Sequence, residues 1–134
     1  MVEVAGIWEQ GWTIPLVEYN EWEMVAQEFG VDAIHMTPKT GVNGGLLIEY
    51  ESIDALLSAR PGLEIVFVDE EGETDLTDFE HPENALYVMG RVGCSAFRLR
   101  GKGHLSVSIP TPKRGHLWPH QALAIVLYDR ERKK

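Results

Sequence analysis

Cysteine is nearly absent from this 134-residue chain: Cys94 stands alone, so no internal disulfide can form and no thiolate metal cluster is available. No apolar run reaches the roughly 18 residues that a bilayer-crossing helix needs, which argues against a membrane partner. The start, Met1-Val2-Glu3-Val4, lacks the basic residues and apolar stretch of a secretory signal, so the expected compartment is the cytosol (cytoplasmic). Basic residues are scarce over most of the chain too. Residues 1–84 hold 19 Asp and Glu but only Lys39 and Arg60, whereas residues 85–134 hold 10 Lys and Arg against Asp129 and Glu131. A net charge of −9 opposes a polyanionic partner, yet the asymmetry leaves a basic C-terminal half that could face one. Pairing of the two halves with each other would give the same pattern. The acidic run from Asp69 to Asp75 lacks the alternating ligand register of an EF-hand, so no metal is expected and the segment reads as a solvated turn.

What is present is the composition of an ordinary globular chain, 44% apolar, of a length that suits one domain over residues 1–134. Val2 to Trp8 reads as a strand. Leu16 to Phe29 carries apolar residues mostly at helical spacing, and Gly30 stops it. Val31 to Met36 is a second strand, followed by a glycine-rich loop at residues 41–45. Ser52 is a natural N-cap for a helix that buries Ile53, Leu56 and Leu57 and ends at Pro61-Gly62. Leu63 to Val68, Ala85 to Met89 and Leu105 to Ile109 are three further strands, and a last helix starts near Trp118-Pro119. This alternation predicts an α/β fold, a parallel sheet of five to six strands with helices on both faces. Ala122 to Tyr128 is apolar all round, which predicts an enclosed terminal helix. Trp8, Trp12, Trp22 and Trp118 read as core or subunit contacts.

Two segments resemble motifs of a known family. His81-Pro82-Glu83-Asn84-Ala85-Leu86-Tyr87-Val88-Met89-Gly90 is similar to the second motif of the SPOUT (SpoU-like, TrmH-type) RNA methyltransferases, a buried strand ending in a glycine. Ile109-Pro110-Thr111-Pro112, then His116-Leu117-Trp118 and the apolar Ala122–Tyr128 segment, is similar to the third. Phe29-Gly30-Val31-Asp32-Ala33 also resembles the family's passage from first helix to second strand. The resemblance implies a C-terminal trefoil knot, a homodimer, S-adenosyl-L-methionine (AdoMet) as cofactor, and methylation of a ribose 2′-hydroxyl in RNA, with tRNA the expected substrate.

Carried over residue by residue, it places AdoMet among Val68, Met89, Gly90, Ile109, His116 and Leu117. Gly90 and Gly93 suit this on physical grounds, because a residue without a Cβ lets backbone approach a ligand closely. His116 is the candidate base, with His120 beside it, since imidazole titrates near neutral pH. Arg91, Arg98, Arg100, Lys102, Lys113 and Arg114 bracket the two motifs and suit phosphate contacts, with Arg91 next to the pocket glycine and counted with His116 as catalytic. The family's usual polar residues are replaced at several positions: its helix arginine falls on Met24, its companion asparagine on Glu21, its second-motif glutamate on Val92, and its third-motif Ser and Asn on His116 and Trp118. Two functions are therefore expected in competition. One is an AdoMet-dependent RNA methyltransferase; the other is a catalytically inactive knot protein of the same fold that binds RNA, AdoMet or a protein partner.

Overall fold

The computed structural model describes residues 1–9, 16–91, 94–113 and 116–134. In chain order these form β1 (Val2–Ile7), α1 (Leu16–Glu28), β2 (Ile34–Thr37), β3 (Leu47–Glu49), α2 (Ile53–Leu57), β4 (Glu64–Val68), β5 (Thr74–Asp75), a 3₁₀ turn (Leu76–Asp78), β6 (Ala85–Met89), a π-helical turn (Phe97–Gly101), β7 (Leu105–Ser108) and α3 (Pro119–Arg132). The strands make one parallel sheet in the order β3-β2-β1-β6-β4-β7-β5. It has seven strands rather than the five or six read from the sequence. The added pair are short strands at the two edges. β3 follows the glycine-rich loop and pairs with β2, while β5 lies inside the acidic run and pairs with β7.

Strand alternation sends Val4 to one face of β1 and Ala5 and Ile7 to the other. The first face meets α1 and α3, through Tyr19, Trp22 and Ala26 and through Leu123, Val126 and Leu127. The second meets α2 and the π-helical turn, through Leu56, Ala96 and Phe97. Burial on both faces explains why β4 and β6 are almost wholly apolar. Trp8 and Trp22 are core residues, as expected, and Trp12 lies outside the described residues.

Local signals close α1 and open α2 and α3 where the sequence places them, but α2 stops at Leu57, short of Pro61-Gly62, and of its stripe only Leu56 is fully buried. Gly30, at φ +70°, closes α1: its N–H reaches Gln27 O at 3.2 Å and Val31 N reaches Ala26 O at 2.8 Å. That pair of bonds is a Schellman closure, and it satisfies carbonyls the helix leaves open. Ser52 Oγ accepts from Ala55 N at 3.1 Å and starts α2. Trp118 and Gln121 cap α3, with Pro119 in its first turn.

The terminal helix departs from expectation. Leu123, Val126 and Leu127 are buried, but Ile125 is 39% and Tyr128 62% exposed, as is Trp118 at 47%. An apolar run around a helix does not enclose it; packing against α1 and the sheet covers only the residues on that side. The outer end is fastened by polar contacts instead. Arg130 donates to Glu83 O at 2.8 Å and to Tyr87 Oη at 3.2 Å. Lys133 Nζ donates to Leu76 O and Phe79 O, and lies 2.7 Å from Asp129 Oδ2. Much of the basic charge of the C-terminal half is thus spent on the chain itself. No helix is long and apolar enough to cross a membrane among the described residues.

Candidate functional site

In an open parallel sheet, ligands bind beyond the carboxyl ends of the strands. A cleft of about 680 Å³ opens there, above β4, β6 and β7, and it is lined by Val68, Met89, Gly90, Ile109, His116 and Leu117. All six positions singled out for a cofactor meet in one place. Val68 ends β4 and Met89 ends β6, whose strands pair directly, and Ile109 follows β7 on the other side of β4. Pro119 and Ala122 bring the first turn of α3 to the same cleft.

The role of Gly90 differs from the one expected of it. A Cβ at this position would fall inside the Cys94 carbonyl oxygen and 2.9 Å from Ala96 N. The glycine is needed so that the chain's own returning backbone can lie against the end of β6. Cys94 is half-buried and lines the cleft. Gly93 and Val92 lie outside the described residues.

One wall is acidic. Asp69, Glu70, Glu71 and Asp75 line the cleft together with Arg91, Arg98 and His116. Glu70 Oε1 lies 2.7 Å from His116 Nδ1. Glu71 accepts two hydrogen bonds from Arg98, from Nε and Nη2, each 2.7 Å. That bond from Arg98 holds the Glu71 carboxyl below the usual carboxylate range. Arg91 lines the cleft close enough to Glu18, with His120, to oppose the burial that pushes the Glu18 carboxyl up.

Other cations singled out for RNA are dispersed. Arg100 lies 3.2 Å from Asp54 of α2 and is not part of the cleft lining. Lys102 and Lys113 are exposed and also outside it, and Arg114 is not among the described residues. The acidic wall was missed in the sequence because the Asp69–Asp75 run has the composition of a solvated turn. Gly72 is what lets the turn sit tightly on β7: a Cβ there would run into Val107 C and lie 2.7 Å from Ser108 N.

The arrangement has two chemical capacities. Val68, Met89, Ile109 and Leu117 offer an apolar slot of ring-binding character, while the carboxylates beside it suit hydroxyl and cationic groups. Both suit AdoMet, which joins an adenine ring and ribose hydroxyls to a sulfonium and an ammonium. No group of three or more metal-binding side chains is gathered among the described residues.

No family model and no curated protein matches the sequence. Solved structures do match the fold. A Bacillus anthracis protein assigned to the RNA methyltransferases superposes with a TM-score of 0.78 at 18% identity, over 99% of this chain and 94% of that one. A structure solved to explain 2-OH methylation of C/U34 on tRNA gives 0.77 at 17% identity, over 98% and 89%. The SpoU methyltransferase AviRb of Streptomyces viridochromogenes, in complex with AdoMet, gives 0.76 at 15% identity, over 99% of this chain and 57% of that one. The chain has the α/β fold of the SPOUT methyltransferases. Within that group the likeness is to the SpoU/TrmH type.

Proposed function

We propose that the chain is an AdoMet-dependent RNA methyltransferase that acts on a ribose 2′-hydroxyl, with tRNA as the substrate class. The observation that carries this reading is the meeting of Val68, Met89, Gly90, Ile109, His116 and Leu117 in one cleft above β4, β6 and β7. Backbone groups of Met89, Ile109 and Leu117 would hold the adenine edge. When bound, AdoMet supplies an activated methyl group. The contact with Glu70 supports His116 as the base: an Nδ1–H donated to Glu70 would leave the Nε2 lone pair to accept the hydroxyl proton. Arg91, at the cleft wall, would anchor a phosphate.

The same reading includes a homodimer and a knot. Val17 and Met24 of α1 and Trp118, Ile125 and Tyr128 on or beside α3 are exposed, on helices that pack together. A second copy would cover this apolar surface. The close approach of Cys94 to Gly90, beside the first turn of α3, suits a helix drawn under the loop that follows β6.

A second reading, a non-catalytic binder, is favoured by a specific observation. The acidic wall takes up Arg98, and the family's arginine and asparagine positions are Met24 and Trp118. Transfer of labelled methyl from AdoMet to bulk tRNA separates the two. We expect transfer by the wild type, a loss of about 10²–10⁴-fold in His116→Ala, and weakened RNA binding in Arg91→Ala. A wild type that binds AdoMet and RNA yet transfers nothing establishes the non-catalytic reading.

A further inference from the structure

The turn from Asp69 to Glu73 is a fixed platform. Asp69 N donates to Val107 O at 3.0 Å, Gly72 N to Asp69 O at 2.9 Å, and Glu73 N to Ser106 Oγ at 2.9 Å. Gly72 lies flat on the β7 backbone. The Asp69 carboxylate braces the opposite side, accepting from Ser95 Oγ at 2.9 Å and from Glu71 N at 3.0 Å. Ser95 Oγ in turn accepts from Arg98 N at 3.1 Å. These bonds hold Glu71 and Arg98 face to face across the mouth of the cleft.

The Glu71 carboxylate meets the Arg98 guanidinium side-on, through two bonds of 2.7 Å. This fork geometry is the one by which arginine binds a phosphate. Both side chains are largely open to water, 75% for Arg98 and 40% for Glu71, so the pair adds little to folding and is cheap to separate. A fixed platform that presents a readily displaced anion to a cleft arginine suits competition better than stability.

We propose that Glu71 is an internal stand-in for an RNA phosphate: it occupies Arg98 in the free protein, and RNA binds there by displacing it. The inference rests on the RNA-binding reading above and adds a regulatory residue to it. It makes Arg98 a phosphate subsite, and it makes the affinity of the resting protein depend on one carboxylate.

The test is fluorescence anisotropy with a fluorescein-labelled single-stranded oligouridine, at several salt concentrations. Glu71→Ala is expected to tighten binding by about 5-fold at low salt, the scale of an exposed ion pair. The slope of log affinity against log salt should steepen by up to about 0.7, because the wild type only exchanges one ion pair for another at Arg98 whereas the variant forms one outright. Glu64→Ala removes the same charge from the far end of β4 and should change affinity by less than about 2-fold. Adding Arg98→Ala to Glu71→Ala should abolish the gain. Thermal melts confirm that each variant is folded, and Glu71→Gln repeats the test with nearly the original shape. The proposal is overturned if wild type binds the RNA and Glu71→Ala neither tightens it nor steepens the slope, or if the gain survives loss of Arg98. If wild type and every variant fail to bind, the RNA reading falls, and this inference falls with it.

Discussion

Gly90→Ala is expected to cost about 3 kcal/mol of folding stability, at the upper end of the overpacking range. The added methyl has nowhere to go. It would enter the Cys94 carbonyl oxygen and crowd Ala96 N, and both are backbone atoms that cannot rotate away as a side chain would. Relief requires the segment after Gly90 to lift off the end of β6. That segment carries Cys94, Ser95 and Arg98 to the cleft, so ligand binding should fail together with stability. Urea unfolding of wild type and variant is the measurement. An unchanged midpoint would mean that residues 94–96 do not lie on Gly90.

Asp129→Ala is expected to cost about 3 kcal/mol at neutral pH, the scale of breaking a buried polar pair. Asp129 is the hub at which α3 meets residues 76–87. Its Oδ2 lies 2.8 Å from His81 Nε2 and 2.7 Å from Lys133 Nζ. His81 Nδ1 lies 2.7 Å from Tyr87 Oη, so a neutral imidazole donates to Asp129 and accepts from the tyrosine. Removing the carboxylate strands a buried imidazole N–H and frees Lys133 from its partner.

The same hub sets an acid sensitivity. Burial lowers the His81 pKa, outweighing the hydrogen bond to Asp129. The unfolded chain therefore takes up a proton that the folded chain resists. Stability is full above the ordinary histidine value of about 6.5 and declines as pH falls below it. Burial raises the Asp129 pKa, but bonds from Lys133 and His81 more than reverse this and hold it below the usual range. Its contribution is present above the ordinary value of about 4 and is lost as pH falls through the lower folded one. Wild type should thus weaken in two steps on acidification, and the second should shrink in Asp129→Ala, leaving the part due to Glu71. Chemical unfolding midpoints from pH 8 to 3 check both. A wild-type midpoint that is flat from pH 7 to 5 contradicts the buried neutral His81.

The long strands were legible because burial on both faces leaves runs such as Ile65–Val68 and Ala85–Met89 with no polar residue. β3 and β5 were not. Strands of three and two residues owe their existence to pairing with β2 and β7, and pairing leaves no local pattern. The apolar α3 run was read as enclosure, when spacing of three and four residues among Leu123, Val126 and Leu127 was the better guide to one buried side. At the site, the six cleft positions came through resemblance to two motifs. The carboxylates facing them did not, since Glu71 and Arg98 are 27 residues apart; away from the cleft, His81 and Asp129 of the α3 hub are 48 apart. Only the fold brings such partners together.

Isothermal titration with AdoMet tests the central claim, that the cleft above β4, β6 and β7 is a cofactor site. Thr111 lines the cleft from a half-buried loop position, so Thr111→Trp can fill the space without disturbing a strand or helix. The account predicts saturable heat for AdoMet and for its demethylated product with wild type, and none for either with a folded Thr111→Trp. Absence of heat from both ligands with wild type, at millimolar concentration, or equal binding by Thr111→Trp, would contradict it.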